Sequence, residues 1–430
     1  MVDCPHRERL GYGDGQVSIE AAVMNLWMPN FYAKWAQDWM DTQHPSTGAL
    51  PFSTPYHSPA GDGDFGREGP PAWGGTLSVL AWKNYIYYGD LLTLEKSFKP
   101  MRRFMDRLES HAVGNILRGY GDKWQQLGDW VPPFGGMDTG NWPAERANDL
   151  FNNCYRIYLW ELLERSAAAL GRTDEITRCH AKIAKIRPMI HREFYDQEKQ
   201  AYVNDEQASL VMPLLSGVVP EELRSILMAK LEQNILVRRG GHLDTGMHGT
   251  YFLIQYLSEI GRDDLLYEIV NRTTYPGWGY MLSQGATTMW EQWNGYWSRI
   301  HACFTSVAGW FHCGLAGIQA DPAAAGFKRI IIRPAVIGEL TWVKASHRSP
   351  YGNIISEWEI RNGHLSMKIR IPVGATARIH VPASHDAEIL ERGVPVALAK
   401  NVRQAGSDVN CRVFEVDSGD YCFETIRRMK

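Results

Sequence analysis

Two stretches of the chain carry acids in settings that could do chemistry. Residues 3–16 read Asp3-Cys-Pro-His-Arg-Glu-Arg-Leu-Gly-Tyr-Gly-Asp-Gly-Gln16, with acids and arginines packed around a turn rich in Pro and Gly. Far along the chain, Gly285-Ala-Thr-Thr-Met-Trp-Glu-Gln-Trp-Asn-Gly295 sets one carboxylate, Glu291, among tryptophans. Two carboxylates supplied by distant loops are what cleavage of a glycosidic bond requires. One protonates the leaving oxygen, and the other activates a water or attacks the sugar carbon. Hydrolysis of a glycoside is therefore the leading expectation.

The elements that must hold these loops follow from composition and periodicity. The 430 residues leave room for one large domain and a smaller one, and 44% hydrophobic against 22% charged residues is ordinary for a globular protein. A net charge of −3 gives no reason to expect nucleic acid as a partner. No apolar run reaches the length of a membrane span, and residues 1–20 lack a signal peptide's hydrophobic segment. Seven cysteines, with no CxxC pair, do not form a disulfide framework. Free thiols in a reducing, cytoplasmic compartment are the simpler reading. The 16 Trp and 19 Tyr serve mainly in packing, with some left to form a platform for sugar rings.

Helical periodicity runs from residue 16 to 320. Gln16–Thr42 has apolar residues at helical spacing, and a Pro- and Gly-rich loop, residues 43–75, follows it. Such a long loop inside a compact domain is usually functional. Helix pairs are expected at 77–88 with 91–111, 144–170 with 174–194, 205–217 with 220–235, and 247–260 with 263–273. Alternating inner and outer helices point to an (α/α)6 barrel with its loops gathered at one mouth. After Asp321-Pro322 the period changes to two, and Asn362-Gly363 reads as a hairpin turn. The predicted organisation is a mainly α catalytic domain, 1–322, followed by a small antiparallel β-sandwich, 323–430.

With these motifs in hand, the chain resembles the inverting α-L-rhamnosidases of glycoside hydrolase family 78. The resemblance rests on the opening segment, Pro71-Ala-Trp-Gly-Gly75, Gly128-Asp-Trp130, His242-Leu-Asp-Thr-Gly-Met-His-Gly-Thr250, Tyr275-Pro-Gly-Trp-Gly-Tyr280, the Glu291 motif, and Gly326-Phe-Lys-Arg-Ile-Ile-Ile-Arg-Pro334, all in order. It implies Glu8 as general acid and Glu291 as general base. Asp3, Arg7 and Asp14 would hold rhamnose hydroxyls or support the acid. Tyr12, Trp73 and Trp130 would wall the sugar pocket, and His301 would bind the sugar. Tyr12 stands where the family usually has Trp, and Gly75 where it usually has Asp. Relatives carry a barrel helix before the Asp3 motif, so the barrel is expected to be complete or to lack its first helix. A homodimer, or an upstream segment, would then close it.

Each residue also has a structural alternative. Glu8, between Arg7 and Arg9, could form an ion pair. Acting as a general acid instead needs a raised pKa, and so at least one arginine turned away. Asp129 could bind sugar or cap a helix. His301 could be a hydrogen-bonded structural histidine, and His242 and His248 read as structural. No set of side chains has convincing metal spacing, and hydrolysis needs no cofactor. Two further functions stand beside rhamnoside hydrolysis. An inverting phosphorylase would need cationic or hydroxyl donors where Glu291 stands. A truncated, non-catalytic sugar-binding or scaffold protein would bind rhamnose without releasing it.

Overall fold

The computed structural model describes residues 13–56, 67–119, 121, 123–134, 145–384, 387–408 and 410–426. The expected site residues Asp3, Arg7, Glu8 and Tyr12 lie outside them. The chain divides into two compact units. One comprises residues 1–19, 30–82 and 91–307, and the other residues 20–29, 83–90 and 308–430.

The first unit is built from helical hairpins. Its main elements are α2 (Pro29–Asp41), α3 (Pro71–Gly74), α5 (Leu91–His111), α6 (Glu145–Ala169), α7 (Thr173–Phe194), α8 (Gln207–Leu215), α9 (Glu221–Gln233), α10 (Met247–Glu259), α11 (Asp263–Val270) and α12 (Trp278–Ser283). Helix α1 (Ile19–Asn25) belongs, apart from Ile19, to the second unit, and α4 (Thr76–Tyr88) is divided between the units. Burial separates two classes of helix. Helix α10 is buried on nearly every face from Met247 to Ile254, and α8 is buried at Gln207 and from Ser209 to Leu214. Helix α7 instead buries a single stripe, Cys179, Ile183, Ile186, Ile190 and Phe194, as an amphipathic surface helix does. The all-round buried helices α6, α8 and α10 pack in succession, and each is backed by its hairpin partner, α7, α9 or α11. This is the alternating inner and outer layering expected of an (α/α) barrel.

One expected helix is interrupted. Instead of continuing from Gln16 to Thr42, the chain makes a 3-10 turn at Gly13–Ser18, then α1, then a break before α2. Pro29 is the cause. It disfavours helical backbone at Met28, and its ring fits the first position of a new helix. The expected apolar face breaks with it, because Leu26 and Trp27 lie exposed in the gap.

The first unit also holds two short hairpins, β1 (Ala112–Val113) with β2 (Ile116–Leu117) and β3 (Tyr195–Asp196) with β4 (Ala201–Tyr202). In the second unit, five strands run β13-β14-β10-β6-β5 and six run β12-β11-β15-β9-β8-β7. Here β5 is Ile318–Ala320, β6 Arg329–Ile332, β7 Trp342–Ser349, β8 Gly352–Arg361, β9 His364–Ile371, β10 Thr376–Pro382, β11 Glu388–Glu391, β12 Val394–Pro395, β13 Val402–Asp408, β14 Cys411–Val416 and β15 Gly419–Ile426. Ile330, Ile332, Ile379, Met367, Trp358 and Phe423 fill the core. Phe414 of one sheet stacks on Phe423 of the other at 5.6 Å. Asn362 and Gly363 both take positive φ between paired Arg361 and His364, the type I′ geometry this dipeptide favours. Pairing is antiparallel throughout these two sheets except between β6 and β10, which run parallel.

Candidate active site

The second half of the opening motif is fastened to α3. Gly13 accepts a hydrogen bond from the Thr76 hydroxyl at 3.0 Å and donates its amide to Phe52 O at 3.0 Å. Gln16 Nε2 donates to Gly13 O at 3.1 Å and to Ala72 O, and Gln16 Oε1 accepts from the Tyr155 hydroxyl. Gly13 packs so closely that a Cβ there would lie 2.6 Å from Trp73 Cα. Gln16 ends the motif and was not singled out from sequence; its partners at Ala72 and Tyr155 are too distant in the chain to leave a local signal.

Asp14 and Trp73 are thereby brought together, both buried, with Trp73 Nε1 donating to Asp14 Oδ1. Trp73 lies within α3, not in an open loop, because Pro71 starts a helical turn there. Its ring contacts Phe52 at 5.9 Å and Trp130 at 6.4 Å, and Trp130 is stacked on Trp297 at 6.0 Å and tilted against Trp124 at 6.4 Å. Val131 and Trp297, which flank and form this stack, both take left-handed backbone, φ +55° and +64°. Such conformations in bulky residues cost about 1–3 kcal/mol each and collect at functional sites. Gly75, where the family usually has Asp, has no space for a side chain: a Cβ would lie 2.7 Å from the Tyr155 ring and 2.9 Å from Leu159.

Asp129 adopts its structural alternative. Its two carboxylate oxygens accept the amides of Gly246 and Gly249, each at 2.7 Å, at the N-terminus of α10. Helix N-termini favour such anions. Burial nevertheless raises the carboxyl to about 7; the two amide bonds pull it down, and the charges of Asp244 and Glu206 push it up. The cap carries its neighbour, since Trp130 O accepts the Met247 amide at 2.8 Å.

Glu291 is 1% exposed. Its loop folds back on itself: Glu291 N donates to Ser298 O at 2.8 Å, Ser298 N returns to Glu291 Oε2 at 3.2 Å, and His301 N donates to Met289 O at 3.0 Å. The flanking indoles anchor it. Trp293 stacks on Phe304 at 3.8 Å and donates to Thr245 O at 3.1 Å, while Trp290 lies under Arg299. Gly295 is required beside Trp290, because a Cβ there would lie 2.9 Å from the ring.

The same loop supplies His301, whose Nε2 is 3.7 Å from Asp14 Oδ2 and whose Nδ1 is 3.0 Å from Cys303 Sγ. Asp14, Trp73, Trp130 and His301 thus form one connected cluster, tied to Glu291 through the loop 289–301. Asp129 stands behind it. Asp14, His301 and Cys303 offer donor atoms within 4.8 Å of one another, a grouping of metal-ligating types that the sequence reading passed over although His301 and Cys303 are two residues apart. His242 is structural, bonded to Arg239 O at 2.8 Å and Thr274 Oγ1 at 2.7 Å. His248 is fully buried at the edge of Trp73, 4.7 Å between ring centroids, and burial drops its pKa to about 3.

Helical hairpins layered inner against outer, with a buried carboxylate and an indole-walled cluster on their loops, fit the class of six-hairpin glycosidases. The chain belongs to the bacterial α-L-rhamnosidase six-hairpin glycosidase domain family, whose model matches residues 1–315, with the C-terminal domain of bacterial α-L-rhamnosidases matching 317–394. An α-L-rhamnosidase of Formosa agariphila is 28% identical over 94% of this chain and 44% of its own length; one of Streptomyces avermitilis is 29% identical over 98% and 39%. Among solved structures, the α-L-rhamnosidase of Dictyoglumus thermophilum superposes with a TM-score of 0.88 at 29% identity, covering 99% of this chain and 47% of that one. The Streptomyces avermitilis α-L-rhamnosidase complexed with L-rhamnose gives 0.85 at 27% identity, covering 99% and 39%. The chain spans less than half the length of these relatives.

Proposed function

We propose that this chain hydrolyses terminal α-L-rhamnosides with inversion at the anomeric carbon. The observation that carries the reading is Glu291, a carboxylate buried among indoles and oriented by the Ser298 amide, on the same loop as a histidine that meets Asp14. Glu291 is assigned the general base, which takes a proton from water as that water attacks the ring from the face opposite the aglycone. Glu8 is assigned the general acid, which gives its proton to the departing oxygen. Asp14 and His301, with Asp3 and Arg7, hold the sugar hydroxyls. Trp73 and Trp130, with Tyr12, form the apolar wall that stacks on the sugar and excludes bulk water. Asp129 acts indirectly, by seating Trp130 on the α10 N-terminus. A screen of aryl glycosides tests this reading: release of aglycone from the α-L-rhamnoside alone supports it, and no release, or release only when phosphate is added, contradicts it.

A further inference from the structure

We propose that Asp14, His301 and Cys303 form a zinc site inside the sugar pocket, through which zinc reversibly blocks the enzyme. The site rests on geometry and donor chemistry. Cys303 is fully buried, and its Sγ lies 3.0 Å from His301 Nδ1. On the other side of the imidazole, Asp14 Oδ2 lies 3.7 Å from Nε2. One donor atom from each residue falls within 4.8 Å of the other two. With Zn–S about 2.3 Å and Zn–N and Zn–O about 2.0–2.2 Å, tetrahedral ligands stand about 3.3–3.6 Å apart, so the widest pair must close by about an ångström. Binding therefore requires the three side chains to rotate toward a common centre.

The donor set selects the metal. A thiol, an imidazole and one carboxylate suit zinc, whereas magnesium and calcium take oxygen-rich sets. The Met247 thioether, 3.4 Å from Cys303 Sγ, makes the surroundings softer still. Three protein ligands leave a fourth position for water. On binding, Cys303 gives up its proton to solvent and the thiolate takes the metal; the imidazole contributes a lone pair and stays neutral. Asp14 and His301 are two of the groups assigned to the sugar, so metal and rhamnose compete. That consequence rests on the proposed function, while the site itself does not.

The test uses the full chain, stripped with a chelator and titrated with cobalt(II) as a spectroscopic stand-in for zinc. The expected result is a thiolate-to-cobalt charge-transfer band in the near ultraviolet, with tetrahedral visible bands, saturating at one metal per chain. Zinc should abolish the band, and saturating L-rhamnose should weaken it. Cys303→Ala, checked for folding by circular dichroism, should lose the band and bind zinc roughly 10-fold or more weakly. With an aryl rhamnoside, zinc should raise KM at constant kcat, and chelator should restore it. Absence of the thiolate band, or unchanged zinc affinity in Cys303→Ala, overturns the site. A band that L-rhamnose leaves untouched overturns the shared pocket. A chain that hydrolyses no rhamnoside sinks the functional reading and leaves the cobalt titration still decisive for the site.

Discussion

At Glu291 the buried carboxylate accepts the Ser298 amide among flanking indoles, and Gln replaces it isosterically. Glu291→Gln should reduce kcat by roughly 10²–10⁴-fold, the range of a general base, and leave rhamnose affinity and folding near those of the parent. Glu8→Gln should behave likewise. Near-parental turnover of an aryl rhamnoside by either variant would remove that residue from its role. Asp129 makes a contrasting prediction. Its carboxyl holds a proton up to about 7 in the folded chain, against about 3.9 for an unperturbed aspartate. The folded state therefore binds more protons than the unfolded state in between. Stability from this group is full below about 4 and is lost as pH rises through about 7. Asp129→Asn should flatten that part of the stability profile measured by denaturant titration; a profile parallel to the parent's would contradict the assignment. Asp129→Ala orphans two buried amides and should cost about 2 kcal/mol or more. In the sequence, Gly-Asp-Trp allowed both readings of Asp129, because only the fold brings Gly246 and Gly249 to its oxygens.

Among the elements, the helix pairs were legible because each outer helix has one apolar stripe and each turn has its glycine: α4 to α7 fall within a residue or so of their expected ends. What sequence missed has physical causes. Strand β13 is exposed along nearly its whole length and so lacks alternation. The short helix at Trp73 is hidden in a Pro- and Gly-rich stretch whose prolines suit a helix start as well as a loop. The joint between Trp130 and α10 is also invisible locally, yet it is tight. A Cβ on Gly246 would lie 1.8 Å from Trp130 O. Gly246→Ala should therefore destabilise the protein by about 1–3 kcal/mol, as overpacked sites do, and weaken rhamnose binding by displacing Trp130. Calorimetric melting and rhamnose titration of this one variant check both effects; an unchanged affinity would detach Trp130 from the sugar.

For the molecule as a whole, the hairpin layers were foreseen from helical periodicity up to residue 320 and the β-sandwich from the change of period near residue 321; the family models match residues 1–315 and 317–394. In the function proposed, two carboxylates far apart in the sequence cleave a rhamnoside with inversion. Inversion requires room for a water, with the carboxyl groups roughly 6.5–9.5 Å apart, whereas a retaining pair stands about 5–5.5 Å apart. The product reports that difference directly. Proton NMR of the first minutes of aryl α-L-rhamnoside hydrolysis by the full chain should show β-L-rhamnose appearing first, with the α anomer growing in only as mutarotation proceeds. Initial release of α-L-rhamnose, or no release of rhamnose, would contradict the account.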